Sequence, residues 1–334
     1  MPKANVKKFT VSRNDAFMEG WPDLIKLHSG RLLVAYNECV GHGNRDHTHI
    51  TIRTSDDAGK SWSEKQYVGE ETFHGDQWNS IRINQMKDGR IILVCDRIAG
   101  TEFSRETELY GFESLDNGVT WSDKRRLGIF GYCSDKVREL SDGSLLLCVS
   151  RFNAERGKSE IFAHKSHDGG CSWSAPVLAA ASDLYTFIEP AVYQMQNGEL
   201  AIFLRENSSK DHNGFVIFSR DGGKSYTAPK EIPVAGMHRP FVGRMKNGNI
   251  LLSYREYLHG DKSRLKATIF DESTLMLGGE FSIFEIDHDR SKFPDGGYSA
   301  WIELDGGEIF MVNYIVDDAP RAYIRSYRII LEEH

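Results

Sequence analysis

The sequence predicts an all-β protein built from six tandem units. Three observations predict it: a Gly-centred turn that recurs six times, a Ser-x-Asp-x-Gly-x-Ser/Thr-Trp motif interleaved with it, and apolar runs of strand length on both sides of the turns. The turns are Ser29-Gly30, Asp88-Gly89, Asp142-Gly143, Asn197-Gly198, Asn247-Gly248 and Asp305-Gly306, with glycines 59, 54, 55, 50 and 58 residues apart. Asp-Gly and Asn-Gly suit the positive-φ positions of a tight hairpin. Each follows a strand-like run such as Leu24–Leu27 or Val242–Met245, and each precedes another, so every unit contains a β-hairpin.

The second repeat has four copies: Ser55-Asp57-Gly59-Ser61-Trp62, Ser114-Asp116-Gly118-Thr120-Trp121, Ser166-Asp168-Gly170-Ser172-Trp173 and Ser219-Asp221-Gly223-Ser225-Tyr226. Asp bonds the amides of its own turn, Gly supplies permissive dihedrals, and the aromatic ring packs over the turn. The fifth unit keeps only Phe270-Asp271-Glu272-Ser273, and the sixth has no copy.

Composition sets the class. Apolar residues make up 40% and charged residues 27%, which is globular rather than disordered. The net charge of −7 and the lack of basic runs argue against nucleic acid as a partner. No run of 18 apolar residues is present, so no membrane-spanning helix is expected. The first residues are basic without an apolar core, which points to a cytoplasmic protein unless a leader was trimmed. The five cysteines lack CxxC spacing; Cys95 and Cys148 lie in apolar runs and read as buried free thiols.

The four motifs resemble the Asp-box, or bacterial neuraminidase repeat, of the sialidase superfamily, and the resemblance covers nearly the whole chain. It implies a six-bladed β-propeller of four-stranded blades, one domain over residues 1–334, with Val6–Val11 closing the ring in the last blade. In a four-stranded meander the first strand starts on the face where the second ends. The Gly hairpins and Asp motifs then lie on the opposite face, as scaffold. Candidate site residues belong at first-strand starts and second-to-third-strand loops.

Sialidases use a Tyr nucleophile, a partner Glu, an Asp acid/base and three Arg for the substrate carboxylate. On that resemblance, Ile188-Glu189-Pro190 supplies the Glu, and Arg205, 16 residues on, the second arginine. Gly297-Tyr298-Ser299 opens the sixth unit where the family carries its Tyr. Arg264 resembles the third arginine, and Asp46 lies near the family's acid/base Asp. His238, Arg239, Trp21 and Trp78 stand at first-strand starts and read as substrate-binding, the tryptophans as sugar-stacking faces. The family opens its first blade with Arg-Ile-Pro, but this chain has Gly20-Trp21-Pro22; Arg82, Arg239 and Lys136 are candidates to compensate. His47 and His49 lack a third ligand at useful spacing, so no metal and no cofactor is expected.

The expected function is a retaining exo-glycosidase acting on terminal sialic acid or a related anionic sugar, its partner a glycan or small saccharide. Two alternatives stay open. One is a propeller hydrolase or lyase on another sugar, pairing Glu189 with Glu256, Asp135 or His238. The other is a non-catalytic glycan-binding propeller in which Trp21, Trp78 and Tyr298 stack sugar.

Overall fold

The computed structural model describes residues 4–73, 75–99, 106–208 and 211–332. An N-terminal strand, β1 (Ala4–Ser12), precedes blade one: β2 (Met18–Lys26), β3 (Leu32–Cys39), β4 (Thr48–Ser55) and β5 (Gln66–Thr72). Blade two holds β6 (Asp76–Gln85), β7 (Ile91–Ala99), β8 (Glu106–Ser114) and β9 (Arg125–Phe130). Blade three holds β10 (Arg138–Glu139), β11 (Leu145–Asn153), β12 (Lys158–Ser166) and β13 (Val177–Ala180). Blade four holds β14 (Phe187–Gln194), β15 (Leu200–Glu206), β16 (Asn213–Ser219) and β17 (Lys230–Ala235). Blade five holds β18 (Met237–Arg244), β19 (Ile250–Leu258), β20 (Asp261–Phe270) and β21 (Ser282–His288). Blade six joins β22 (Ser299–Glu303), β23 (Ile309–Ile315) and β24 (Tyr323–Leu331) to β1. All neighbouring strands are antiparallel, and the architecture is a six-bladed propeller.

Ring closure follows the expected route. β1 pairs with β24 from Ala4 opposite Leu331 to Ser12 opposite Ile324, so the first and last strands of the chain share one sheet. This pairing covers the outer edge of β24, which would otherwise present unpaired backbone groups.

Apolar side chains lie mainly between blades. One cluster joins Leu33, Ile50 and Ile52 of blade one to Trp78, Ile83 and Phe112 of blade two. Equivalent clusters fill the remaining junctions, ending with Tyr36 of blade one against Phe310 and Tyr314 of blade six. The packed faces of adjacent sheets therefore hold the ring together, chiefly by removing apolar area from water.

The Ser-x-Asp-x-Gly turns are structural. Ser55 Oγ accepts the Gly59 amide at 2.8 Å, and Asp57 Oδ1 accepts the amides of Lys60 and Ser61 at 3.0 and 2.9 Å. Gly59 has φ +81°, and a Cβ there would fall 2.5 Å from Phe310 Cζ of blade six, so the turn also docks against the neighbouring blade. In the degenerate fifth unit Asp271 caps a short helix, α1 (Glu272–Leu277), by accepting the Thr274 amide at 2.7 Å. Cys95 and Cys148 are buried free thiols in β7 and β11.

Candidate active site

At one end of the ring each blade delivers a backbone kink to the channel. Trp21, Ser80, Cys133, Glu189, Arg239 and Gly297 all have positive φ, between 48° and 87°. In blades one, two, four and five the kink coincides with a register shift between the first two strands. Non-glycine residues rarely take this conformation, so its recurrence marks positions over-determined by their surroundings. Polar groups of the preceding blade hold several of them. The Cys133 amide donates to Asp96 Oδ1 at 3.1 Å, that of Glu189 to Ser150 Oγ at 3.0 Å, and that of Arg239 to Glu189 Oε2 at 3.0 Å.

Three of the sequence-predicted residues converge here. Tyr298 Oη donates to Glu189 Oε1 at 2.5 Å, and Arg205 Nη1 donates to Glu189 Oε2 at 3.0 Å and to Tyr298 Oη at 3.1 Å. Glu189, Tyr298 and Arg205 are all buried. Burial alone would raise the Glu189 carboxyl; the charges of Arg205 and Arg239 and the Tyr298 hydrogen bond outweigh it and bring it down to about 2. Burial, with the Glu189 charge, pushes the Tyr298 phenol up to about 12. The proton therefore rests on Tyr298, hydrogen-bonded to an ionised carboxylate that is its nearest acceptor.

Arg239 and His238 also belong to this group. The Arg239 guanidinium bonds the carbonyls of Cys133 and Ser134 and lies 5.8 Å from the centre of the Tyr298 ring. His238 is buried, its Nδ1 3.5 Å from Arg255 Nη2, and its charge helps lower Glu189. Asp46 lies half-buried in the loop after β3, at the same end of the ring, with its amide on Asn44 Oδ1 at 3.0 Å.

Other expectations are corrected. Arg264 does not join the cluster: it sits on the third strand of blade five, and its guanidinium turns outward to Glu285 at 2.8 Å. Arg255, at the end of β19, takes the position instead, 4.8 Å from the Tyr298 ring centre and bonded to the Gly296 carbonyl at 3.2 Å. Trp78 is not a sugar platform. It is fully buried between blades one and two, with Nε1 on the Glu70 carbonyl at 2.9 Å. Trp21 is 4% exposed and its ring is covered by the Arg45 guanidinium at 3.7 Å, leaving no open face for a sugar. Of the candidates to compensate for Gly20, Lys136 is engaged by Asp23 at 3.0 Å and Arg82 bonds the Ile81 carbonyl, both deep in the channel. His47 and His49 both face Glu71.

Asn79, Asp96 and Arg255 stand in the segments that the strand directions point to the channel, but sequence reasoning gave them no role, and it missed Arg45 altogether. Asp96 Oδ2 accepts Asn79 Nδ2 at 2.9 Å, and Asn79 Oδ1 accepts Arg45 Nη1 at 3.2 Å. Burial raises the Asp96 carboxyl to about 6 in spite of those bonds. The signal for Asp96 and Arg255 was their common place at second-strand ends, the position that Arg205 holds in blade four. Among the described residues, Arg205 Nε and Arg255 Nε are buried without a hydrogen-bond partner.

Comparisons with known proteins agree on the architecture. A protein of unknown function from Dyadobacter fermentans superposes with TM-score 0.82 at 20% identity, over 98% of this chain and 99% of that one. The α-L-arabinanase of Penicillium chrysogenum, solved with arabinobiose, gives TM-score 0.71 at 18% identity over 99% of both chains. The intramolecular trans-sialidase of Ruminococcus gnavus, in complex with oseltamivir carboxylate, gives 0.70 at 14% identity over 96% of both. A search of curated protein sequences gives no match. The model of the BNR repeat-like domain matches residues 23–309, most of the six-bladed ring, and the chain therefore belongs to the BNR repeat-like family.

Proposed function

We propose that this chain is a retaining exo-glycoside hydrolase that releases terminal sialic acid or a related anionic sugar. The observation that carries the reading is the Tyr298 hydroxyl held between Glu189 at 2.5 Å and Arg205 at 3.1 Å. A neutral phenol approaches an anionic sugar without the repulsion a carboxylate would meet. Since the phenol holds its proton strongly, deprotonation ahead of attack is unfavourable. The proton passes from Tyr298 to Glu189 as the bond from Oη to the anomeric carbon forms. The glycosidic bond breaks as its oxygen takes a proton from the acid, for which Asp46 remains the candidate. Water, giving its proton back to that residue, then displaces Tyr298, whose oxygen recovers its proton from Glu189. Arg205 and Arg255 hold the acid group of the sugar.

A neutral substrate is the second reading, and Gly20 favours it because β2 offers no arginine to an acid group. A glycan panel assayed for released monosaccharide, followed by a sugar fluorinated on the carbon next to the anomeric one to trap the intermediate, tests both. Release of an anionic sugar with label on Tyr298 is the expected result. Label on Glu189 or another carboxylate overturns the tyrosine mechanism.

A further inference from the structure

Arg205, Arg239 and Arg255 gather around Glu189 and Tyr298, and Arg45 lies over Trp21, the kinked residue of blade one. Arg205 is paired with Glu189 at 3.0 Å. Arg239 and Arg255 donate to backbone carbonyls, and Arg45 donates to the His42 carbonyl at 3.4 Å and to Asn79 at 3.2 Å. Among the described residues, none of Arg45, Arg239 and Arg255 forms an ion pair. Arg239 faces the charge of Glu189, Arg255 that of Asp295 and Arg45 that of Asp96, each without a direct pair, which leaves guanidinium donors for an anion that pairs with them.

Arg45 differs from the others in being carried by a loop, between β3 and β4. It is 9% exposed and lies flat on Trp21, the kinked residue of blade one. Its neighbour Asn79 is fixed in turn by Asp96, so the guanidinium is oriented from two blades. Its Nη2 makes no hydrogen bond among the described residues. Position 20, next to Trp21 in the chain, is closely packed: a Cβ there would stand 2.9 Å from the flexible tip of Met18, Cε, and 3.4 Å from Tyr314 Cδ2. At this end of the ring β2 carries no cation, and the loop after β3 supplies Arg45.

We propose that Arg45 is the blade-one residue that binds the acid group of the substrate, donating through Nη2 while Trp21 and Asn79 hold its plane. This rests on the reading of the substrate as an anionic sugar. It makes the loop, rather than the strand, the determinant of acid recognition in this chain.

The test compares a sugar acid with its uncharged ester. Binding of 2-deoxy-2,3-didehydro-N-acetylneuraminic acid and of its methyl ester is measured by titration calorimetry on the wild-type chain, Arg45→Gln and Arg45→Lys, with Tm recorded for each. In Arg45→Gln the Kd for the acid should rise by about 30-fold, the scale of a lost charge-assisted bond, while that for the ester should change by less than about threefold. Arg45→Lys should fall between the two, since it keeps the charge and loses the planar fork. An Arg45→Gln chain that binds the acid as tightly as wild type overturns this inference and leaves the proposed activity standing. So does an equal loss for acid and ester, which would mark Arg45 as structural. A wild-type chain that binds neither overturns both proposals.

Discussion

Tyr298 Oη and Glu189 Oε1 lie 2.5 Å apart although 109 residues separate them in the chain. Blades four and six bring them together across the channel, and Arg205 touches both. Substituting Tyr298→Phe removes one hydroxyl from a buried ring and leaves the packing against Tyr314 intact. Turnover of the cognate glycan should fall by a factor on the order of 10³, with the Tm within a few degrees of wild type. Single-turnover kinetics beside a thermal melt checks this; full activity in the variant would exclude the phenol as nucleophile.

The two perturbed carboxyls push stability in opposite directions with pH. Glu189 is lowered to about 2, below its unfolded value, so its contribution is present above about pH 4 and is lost as pH falls from there toward 2. By linkage this is worth about 3 kcal/mol. Asp96 is raised to about 6, so its protonated form favours the fold and that contribution declines as pH rises from about 4 to 6. Urea unfolding of wild type, Glu189→Gln and Asp96→Asn from pH 3 to pH 8 should show the acid-side loss vanish in the first variant and the decline between pH 4 and pH 6 vanish in the second.

Beneath the site, Lys136 of blade three reaches Asp23 of blade one at 3.0 Å, and Asp23 Oδ2 accepts the Ile83 amide of blade two at 2.8 Å. Three blades are thus tied through one carboxylate with no exposure to solvent. Lys136→Met removes the cation bonded to that carboxylate, leaving only the more distant charge of Arg82, and should cost about 3 kcal/mol in urea unfolding. The double change Asp23→Asn with Lys136→Met should recover part of the loss.

Removing residues 1–12 strips β1 from β24 and exposes an edge of nine residues, Tyr323–Leu331. The apparent Tm should fall by on the order of 10 °C, the equivalent of a few kcal/mol for a chain of this size. Size-exclusion chromatography should show self-association through the open edge.

The turn motifs should be separable from the chemistry. Asp57 and Asp168 bind only their own turns, far along the strands from Glu189. Asp168→Ala should lower the Tm and leave kcat/KM within about twofold of wild type.

The turns were legible in the sequence because each needs particular residues at fixed offsets: Ser55, Asp57 and Gly59 answer one another within a few positions. Glu189 and Arg205 were legible through the family resemblance, whose 16-residue interval one hairpin keeps fixed. Arg255 and Arg264 were not distinguishable in that way. Both are arginines of blade five, and only the strand on which each sits sends one inward and the other to Glu285. Trp78 misled because a first-strand start looks alike whether its ring faces the channel or the next blade. Arg45 was hidden by its loop, whose path depends on Trp21 and Asn79 rather than on any local pattern.

The ring of kinked residues works as a set of sockets. In four blades the ladder slips past the kink, so the sheet does not read the identity of the side chain placed there. Trp21, Ser80, Glu189 and Arg239 are as unlike as four residues can be, yet all adopt nearly the same backbone turn. The side chain at a socket can accordingly change without re-pairing the strands, while contacts such as the Glu189 carboxylate on the Arg239 amide carry the change to the next blade. Divergence of specificity within this architecture then requires few substitutions and no rebuilding of the blades.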